Sequence, residues 1–414
     1  MRSTMNGRNS SIWRWIWVVP VALISLGAGK LEPHEKAVQA TTEVPEDQLL
    51  DVSIEVFDPG IPDLTAMTAK QKEGIYPEVR KSEARFVPMQ LKETLQATGF
   101  WGAVRVVPEK TSSAEVTVTG QIVKSTGKTL VVEVQVRDIG GREWLEKKYK
   151  QEANPFVYID EKQRHLDPFT GLYGQIANDM LERLRKLEPK EVQDLRQISE
   201  LRFASQLAPA DYDGYLEANK KGRLEIQRLP AEDDPMMSRV TMIRERDYMF
   251  VDTLNEYYSE FCGSMEEAYD NWRSFSYEEQ VALAELRRQA RMRKIIGAIA
   301  IIGAVAAPAG GGLESVARDA AMIGGIAAIQ SGIAKGKEAK IHAEALRELA
   351  ASFEIDVAPL VVEIEGETVR LTGNREDQYA SWRELLRQIY AAETGLPLDP
   401  NTESAVAVEG SAGQ

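Results

Sequence analysis

Apolar and polar residues alternate along three stretches in the first half of the chain. The stretches are LLDVSIEVFDPG from Leu49, AEVTVTGQIVKS from Ala114 and KTLVVEVQVRDIGG from Lys128. Alternation puts the apolar side chains on one face of a strand, as a sheet with one buried face requires. WGAVRVVP, from Trp101, predicts a short strand, and REWLEKKYK predicts another after the Gly140-Gly141 turn. The pattern therefore predicts five strands.

Helical spacing of apolar residues predicts two helices beside these strands. The first ends at Gly99, and its regular part is expected to begin near Pro88, because proline is tolerated in a first helical turn. Its apolar positions are Val87, Leu91 and Leu95. The second helix has an apolar stripe of Ile176, Met180, Leu184 and Leu187. The order β-α-β-β-β-β-α predicts an α+β sandwich over residues 48–188.

Residues 190–294 are strongly charged and have a helical pattern. MFVDTLNEYYSEFCGSMEEAYDNW and SYEEQVALAELRRQARMRK predict two long helices. Aromatic residues recur near helical spacing in the first of them, which favours a packed core over a ligand-binding cage. We expect core positions at Tyr257, Tyr258, Phe261, Tyr269 and Trp272.

An uncharged block follows, with 19 residues from Ile295 to Leu313 and 15 from Ala320 to Ala334. Each arm is marginal as a bilayer span, and together they predict a glycine-rich helical hairpin over residues 295–336. Small residues recur every four positions, and such spacing lets helices pack closely. The longer stripe contains Gly324, Ala328, Gly332 and Gly336, and the shorter one contains Gly303, Ala307 and Gly311.

Basic residues flank both ends of this block, where lipid phosphates would lie if the hairpin entered a membrane. They are Arg287, Arg288, Arg291, Arg293 and Lys294 before it, and Lys335, Lys337 and Lys340 after it. A buried soluble hairpin would also use glycine for close packing. The pattern leaves both arrangements open.

The last part of the chain predicts a small carboxy-terminal α-β-β-α unit over residues 337–397. Its strands are PLVVEIEG and ETVRLTG, and its second helix is DQYASWRELLRQIYAAE. Residues 398–414 are small and acidic, and they predict a disordered tail. The whole chain is therefore expected to be α+β, with a central helical region.

The amino terminus predicts export. The first 29 residues contain three arginines and no acid, followed by the apolar run IWVVPVALISLGAG. This is the pattern of a signal peptide, or of an uncleaved anchor. Residues 30–48 predict a linker.

The composition of the chain argues against several classes of function. The net charge of −14 argues against a nucleic-acid binder, which needs a basic face. The single cysteine, Cys262, excludes an intramolecular disulfide, and three isolated histidines do not form a metal motif. No phosphate loop or nucleophile motif is convincing. We expect no enzyme activity, no cofactor and no metal.

The segments VFDPG, TGFWGAVRVVP and AEVTVTGQIVKSTGKTLVVEVQVRDIGG together resemble small periplasmic domains of bacterial envelope proteins. These are the TolB amino-terminal domain, the LpoB-type lipoproteins and the CsgG-like secretion lipoproteins. Gly120 and Asp138 match the pattern, whereas Ala114-Glu115 replaces the usual Ala-Asp. The resemblance covers residues 48–188 and implies protein contacts and oligomerisation without an active site. VVEIEGETVRLTGN is similar to part of a BON domain, a small envelope module.

These features predict a non-enzymatic envelope scaffold that docks partner proteins, forms a homo-oligomer and contacts membrane lipid through the hairpin. The alternative is an oligomeric secretion or pore component whose hairpins line a channel. The expected location is the periplasm or the outer membrane, or an inner-membrane anchor that faces the periplasm.

Overall fold

The computed structural model describes residues 35–63, 65, 75–108, 114–160, 162–163, 166–304, 360–364, 367–371 and 374–394. Most side chains beyond residue 282 in the long helix are outside this description. The described elements belong to one compact unit, His34–Gln414.

A five-stranded sheet contains all of the strands predicted for the first half of the chain. The strands are β1 (Val52–Glu55), β2 (Val104–Val107), β3 (Val116–Ser125), β4 (Thr129–Asp138) and β5 (Glu143–Glu152). Their order is β2-β1-β3-β4-β5. β1 is parallel to both β2 and β3, and the remaining pairs are antiparallel. The two edges of the sheet are therefore β2 and β5.

Helices cover one face of this sheet. α1 (Pro77–Thr98) packs on β2 and β3, and α3 (Thr170–Leu184) packs on β5, with the short α2 (Pro155–Ile159) before it. The covered face is mostly apolar where strands meet helices, as at Val52, Ile54, Val104, Val106, Val116, Val118, Val132 and Val134. The opposite face of β4 and β5 carries exposed pairs such as Lys148 with Glu133. This arrangement confirms the α+β class.

The predicted start of α1 near Pro88 is wrong, because the helix begins at Pro77 and Pro88 lies inside it. A proline at that position has no N–H to donate to the carbonyl of Ala84, one turn earlier. The N–H of Phe57 donates to the Ala84 carbonyl instead, at 2.9 Å. Because Pro88 has no N–H, the Ala84 carbonyl is available to join α1 to the end of β1.

Residues 190–294 are not entirely helical. After α4 (Pro189–Leu207), a hairpin forms from β6 (Leu216–Ala218) and β7 (Leu224–Ile226). The N–H of Leu224 donates to the carbonyl of Gly140 at 2.9 Å, which attaches this hairpin to the β4–β5 turn. The strands are three residues long, too short for alternation to predict.

The two long helices predicted after residue 248 are one helix, α5 (Pro235–Ala304), of 70 residues. No proline occurs after Pro235 until Pro308, so nothing in the chain forces an end between the two predicted segments. At 1.5 Å per residue, α5 is about 105 Å long. It includes the first ten residues of the predicted hairpin.

Near the carboxy terminus, β8 (Leu360–Ile364) and β9 (Glu367–Leu371) form an antiparallel hairpin, followed by α6 (Arg375–Thr394). These elements match two strands and a helix of the predicted α-β-β-α unit, whose first helix lies outside the described residues. α6 packs on α5 and α4.

Several predictions fall outside the described residues: the export signal, the second hairpin arm and the tail. Part of the predicted linker is described, and it lies against the α+β layer. The N–H of Val38 donates to Asn178 on α3, and that of Ala40 to the carbonyl of Thr98. Among the helices that the structure describes, none combines the length and apolar character needed to cross a membrane.

The Gly120–Phe57 contact gives a direct test of the sheet. A Cβ at Gly120 would lie 2.5 Å from the Phe57 ring, so Gly120→Ala should destabilise the protein by about 1–3 kcal/mol. In a Phe57→Leu background the same change should lower the free energy of unfolding much less, because the ring that the added Cβ would meet is absent. Urea unfolding measures both. Gly263→Ala on α5, where nothing lies within 4 Å of the added atom, should be neutral or stabilising. Equal costs of Gly120→Ala in the two backgrounds would refute the contact.

Candidate functional site

The candidate site is the surface on which α5 is held, which we call the α5 seat. It consists of α5 residues 240–276 and the parts of α1, β2, β3, α4 and α6 that contact them. Thirteen positions of α5 between Val240 and Ser276 are buried. Eleven of them form a stripe in which the ten steps from first to last cover 36 residues, an average of 3.6 residues per step. This is the period of a straight α-helix rather than that of a supercoil. The stripe positions are Val240, Ile243, Asp247, Val251, Leu254, Tyr258, Phe261, Met265, Tyr269, Trp272 and Ser276.

Aromatic residues dominate the contact between α5 and α1. Tyr269 and Trp272 stack with ring centroids 5.8 Å apart, and Phe86 of α1 meets Tyr269 edge-on at 5.0 Å. Val79, Phe261 and Met265 complete this small second core. Four of the five aromatic residues predicted as core are buried, and Tyr257 is half-buried.

Asn255 of α5 closes the outer edge of β2. Its Oδ1 accepts from the N–H of Val106 at 2.8 Å, and its Nδ2 donates to the Val106 carbonyl at 2.7 Å. Nδ2 also donates to the carbonyl of Val251 at 2.8 Å, within α5. The side-chain amide thus takes the place of a neighbouring strand. An edge strand with unpaired backbone groups would otherwise recruit another chain.

Charged residues join α5 to the amino-terminal ends of β2 and β3. Arg244 donates to Glu115 at 3.3 Å and to Ser199 of α4 at 2.7 Å. Arg105 of β2 makes a two-pronged contact with Asp252 of α5, at 2.7 and 3.1 Å. Burial raises the pKa of Glu115, and Arg244 opposes that shift. Each of these cations thus bridges α5 to a neighbouring element.

A second buried pair extends the seat to the carboxy-terminal helix. Arg383 of α6 donates to Asp247 at 2.9 Å and to Gln206 of α4 at 2.8 Å. The side chain of Asp247 is fully buried, and that burial raises its pKa. One arginine therefore ties together α4, α5 and α6.

Glu83 of α1 lies at the centre of the other end of the seat. It is fully buried and accepts from the hydroxyls of Ser125 on β3 and Tyr269 on α5, the latter at 2.7 Å. Its Oε2 accepts no hydrogen bond from the residues that the structure describes. Burial raises the pKa of Glu83, and the nearby Arg80 partly offsets the shift. The carboxyl group holds three elements together.

The β3–β4 turn rests directly on the backbone of α5. The N–H of Gly127 donates to Ser276 at 3.1 Å, and its carbonyl accepts from Tyr158 at 2.7 Å. A Cβ at Gly127 would collide with the Arg273 carbonyl, so only glycine fits this turn. Arg273 itself is buried and pairs with Asp167 at 2.6 Å.

The contacts of this site hold a helix in place. The polar groups of the seat point at one another, and the described residues contain no cluster that could hold a metal ion. Burial raises the pKa of Cys262 to about 12, so the thiol is not an activated nucleophile. A cavity between α4 and α6 borders the seat at Gln206 and Arg383, and two others lie around α4 and the β6–β7 hairpin.

The predicted helix-packing and basic residues that the structure describes lie on α5 beyond the seat. Gly303, Arg287, Arg288, Arg291, Arg293 and Lys294 all lie on the distal part of α5. Arg288 is exposed, with Glu285 4.0 Å away. Ala307, Gly311, Gly324, Ala328, Gly332, Gly336, Lys335, Lys337 and Lys340 are outside the described residues.

The polar residues of the seat could not be identified as functional from the sequence. Asp247 lies in the 3.6-residue stripe of α5, which was its one available signal. Asn255 and Arg244 lie beside the stripe, among many charged residues, and had no such signal. A polar residue in an apolar stripe indicates a buried polar contact. Its partners come from distant segments and could not be identified.

No protein-family model, curated protein or solved structure matches the chain. The resemblance of residues 48–188 to periplasmic envelope domains, and the BON-like character of the carboxy-terminal unit, therefore stay predictions.

The first prediction from the seat concerns Asn255. Asn255→Ala should destabilise the protein by roughly 2–4 kcal/mol, because it leaves the N–H and carbonyl of Val106 buried without partners. Asn255→Asp retains an acceptor but no donor, and it should also destabilise. Urea unfolding provides the measurement, with Thr253→Ala, at an exposed position on the same helix, as the control. If Asn255→Ala matched Thr253→Ala, the edge contact would contribute nothing.

The second prediction concerns pH. A carboxyl whose pKa is raised in the folded state favours folding below its ordinary value of 4.5. That contribution is lost as pH rises through the raised pKa, because ionised Glu83 is buried. Glu83→Gln keeps an acceptor oxygen, so its unfolding free energy should fall less with rising pH than that of the wild type. Glu78→Gln, at the start of α1, is the control. Parallel pH profiles for wild type and Glu83→Gln would contradict the assignment.

Proposed function

We propose that the protein is a non-enzymatic scaffold of the bacterial cell envelope. In this proposal the α+β layer docks partner proteins, and α5 connects it to a glycine-rich segment that forms homo-oligomers and contacts membrane lipid. The periplasm or the outer membrane is the proposed location.

One observation carries the proposal: α5 runs without a break from the seat into the apolar segment. It leaves the seat at Ser276, passes the five basic residues between Arg287 and Lys294, and continues to Ala304. From Ser276 to Ile295 is about 28 Å along a helix. A continuous helix fixes the distance between the α+β layer and the apolar segment, as a scaffold requires.

The polar contacts between α5 and its neighbours support the same proposal. Buried charge pairs often add little net stability, but they can specify one arrangement of the packed elements. In the seat, Arg244, Arg105 and Arg383 each bind acids or amides from different elements. Such a network fixes the position of α5 relative to the elements around it, which suits a scaffold better than a substrate-binding site.

A crosslinking experiment in membranes tests the proposal. Gly324→Leu, Gly332→Leu and Gly336→Leu together add bulk along the longer stripe, and overpacking of a tight contact costs about 1–3 kcal/mol per site. We expect this triple variant to lose the oligomer in salt-washed membranes. The matched triple variant Ile323→Leu, Ile326→Leu and Ile333→Leu, off the stripe, should retain it.

Equal oligomer yields in both variants would contradict oligomerisation through the stripe. Wild-type protein that washes entirely out of the membrane fraction would contradict lipid contact. A leak from liposomes loaded with the wild-type protein would favour a pore component over a scaffold.

A further inference from the structure

An arginine without an acidic partner faces a cavity at the β6–β7 hairpin. The cavity has a volume of about 500 Å³ and lies between the end of α4, the β4–β5 turn and the hairpin. Arg202 of α4 lines it, half-buried, and donates to the carbonyl of Ile139 at 3.3 Å. Among the described residues, no carboxylate forms an ion pair with it. A guanidinium has five donor hydrogens, and one backbone carbonyl satisfies only a small part of this hydrogen-bonding capacity.

Four of the five other cations that line these three cavities are paired, and the fifth, Arg223, is exposed to solvent, whereas Arg202 is half-buried. Arg142 pairs with Glu191 at 3.0 Å and Lys190 with Asp194 at 3.1 Å, beside the cavity on the opposite side of the hairpin. Arg383 and Arg387, beside the cavity between α4 and α6, pair with Asp247 and Glu384. Arg202 differs from these four.

Burial of Arg202 is uncompensated. Removal from water lowers its pKa, and no neighbouring charge opposes that shift. Asp213 also lines the cavity, but it is exposed. A cation is favoured in the last turn of a helix, where the helix dipole is negative, but the last turn of α4 contains no basic residue and Arg202 lies before it. The dipole therefore gives little structural reason for an arginine at this position. It does not explain why the guanidinium lies in a cavity.

The remaining walls are suited to an apolar group. Ile139 and Tyr212 are buried, and Leu216 and Leu224 are half-buried. The volume falls in the range of small-molecule sites, which combine apolar walls with a few polar groups that fix orientation. The planar guanidinium fork matches a carboxylate in shape and charge.

We propose that this cavity binds an organic carboxylate with an apolar body, whose carboxylate pairs with Arg202 while its apolar part contacts Ile139, Tyr212 and Leu216. The carboxylate is either a free acid or an acidic side chain beside an apolar residue of a partner peptide. This inference is independent of the proposed scaffold function.

Fluorine NMR of the full chain tests the proposal with small probes. The free-acid probe is 4-fluorophenylacetate, and the peptide probe is acetyl-(4-fluoro)phenylalanyl-aspartyl amide. 4-Fluorobenzylamine and 4-fluorobenzyl alcohol carry the same ring with a positive charge or none. We expect at least one of the two carboxylate probes to bind. The amine and the alcohol should bind at least tenfold more weakly. Binding of the peptide alone would identify a partner segment, and binding of the free acid alone would identify a small metabolite.

Substitutions locate the site. Arg202→Gln should weaken carboxylate binding about 10- to 100-fold, the range expected for a charged hydrogen bond. Arg202→Lys keeps the charge and most of the buried stem, and it should weaken binding several-fold, which keeps the test informative if the glutamine variant does not fold. Arg137→Gln, which removes an exposed arginine from the open sheet face, should have no effect. The proposal is overturned if neither carboxylate binds at millimolar concentration, if all probes bind equally, or if neither Arg202 variant alters binding.

Discussion

The outer edge of β2 has backbone groups that need a partner, and the rest of the structure depends on how that need is met. The side-chain amide of Asn255 accepts from and donates to Val106, as a neighbouring strand would. Because Asn255 belongs to α5, the sheet is complete only when α5 is in place. The opposite edge, β5, lies against α3 and carries Lys147, Lys148 and Lys150, a common protection of an exposed edge.

This constraint makes α5 part of the α+β layer rather than a separate helical region. The contacts on both sides of Asn255 extend the attachment along the helix. Arg244 and Asp252 lie towards its start, and Tyr269, Arg273 and Ser276 lie further along. Beyond Ser276, no side chain of α5 among those described is buried, so the buried part of α5 that the structure describes ends at Ser276. The proposed scaffold function rests on this difference between the two parts of α5.

Much of the fold could be predicted because its signals are local. Alternation in β3 and β4, and the turn at Gly140-Gly141, depend only on neighbouring residues, and they placed the strands correctly. The start of α1 was predicted wrongly at Pro88, because the tolerance of this proline inside the helix depends on Phe57, a residue 31 positions away. The single long α5 was divided because the aromatic and charged halves differ in composition, although nothing in the chain breaks the helix.

The candidate site was beyond sequence reasoning for a similar reason. Whether Glu83, Asp247 or Arg202 is paired depends on elements that come together only in the fold, since their contacts join residues separated by 42 to 186, 136 and 63 positions. The basic cluster and glycine stripes were conspicuous in the sequence because their members are close together in it. The basic residues from Arg287 to Lys294 and Gly303 lie on the distal part of α5, and the other members are outside the described residues.

Native-state hydrogen exchange tests most directly whether α5 and the sheet form one cooperative unit. Amides of β2 and of α5 between Val240 and Ser276 should open with the same free energy in low denaturant, and Asn255→Ala should lower both together. The distal part of α5 should exchange with a lower free energy. If α5 between Val240 and Ser276 opened at a much lower free energy than β2, with β2 still protected, the helix would be an independent attachment and this account would be contradicted.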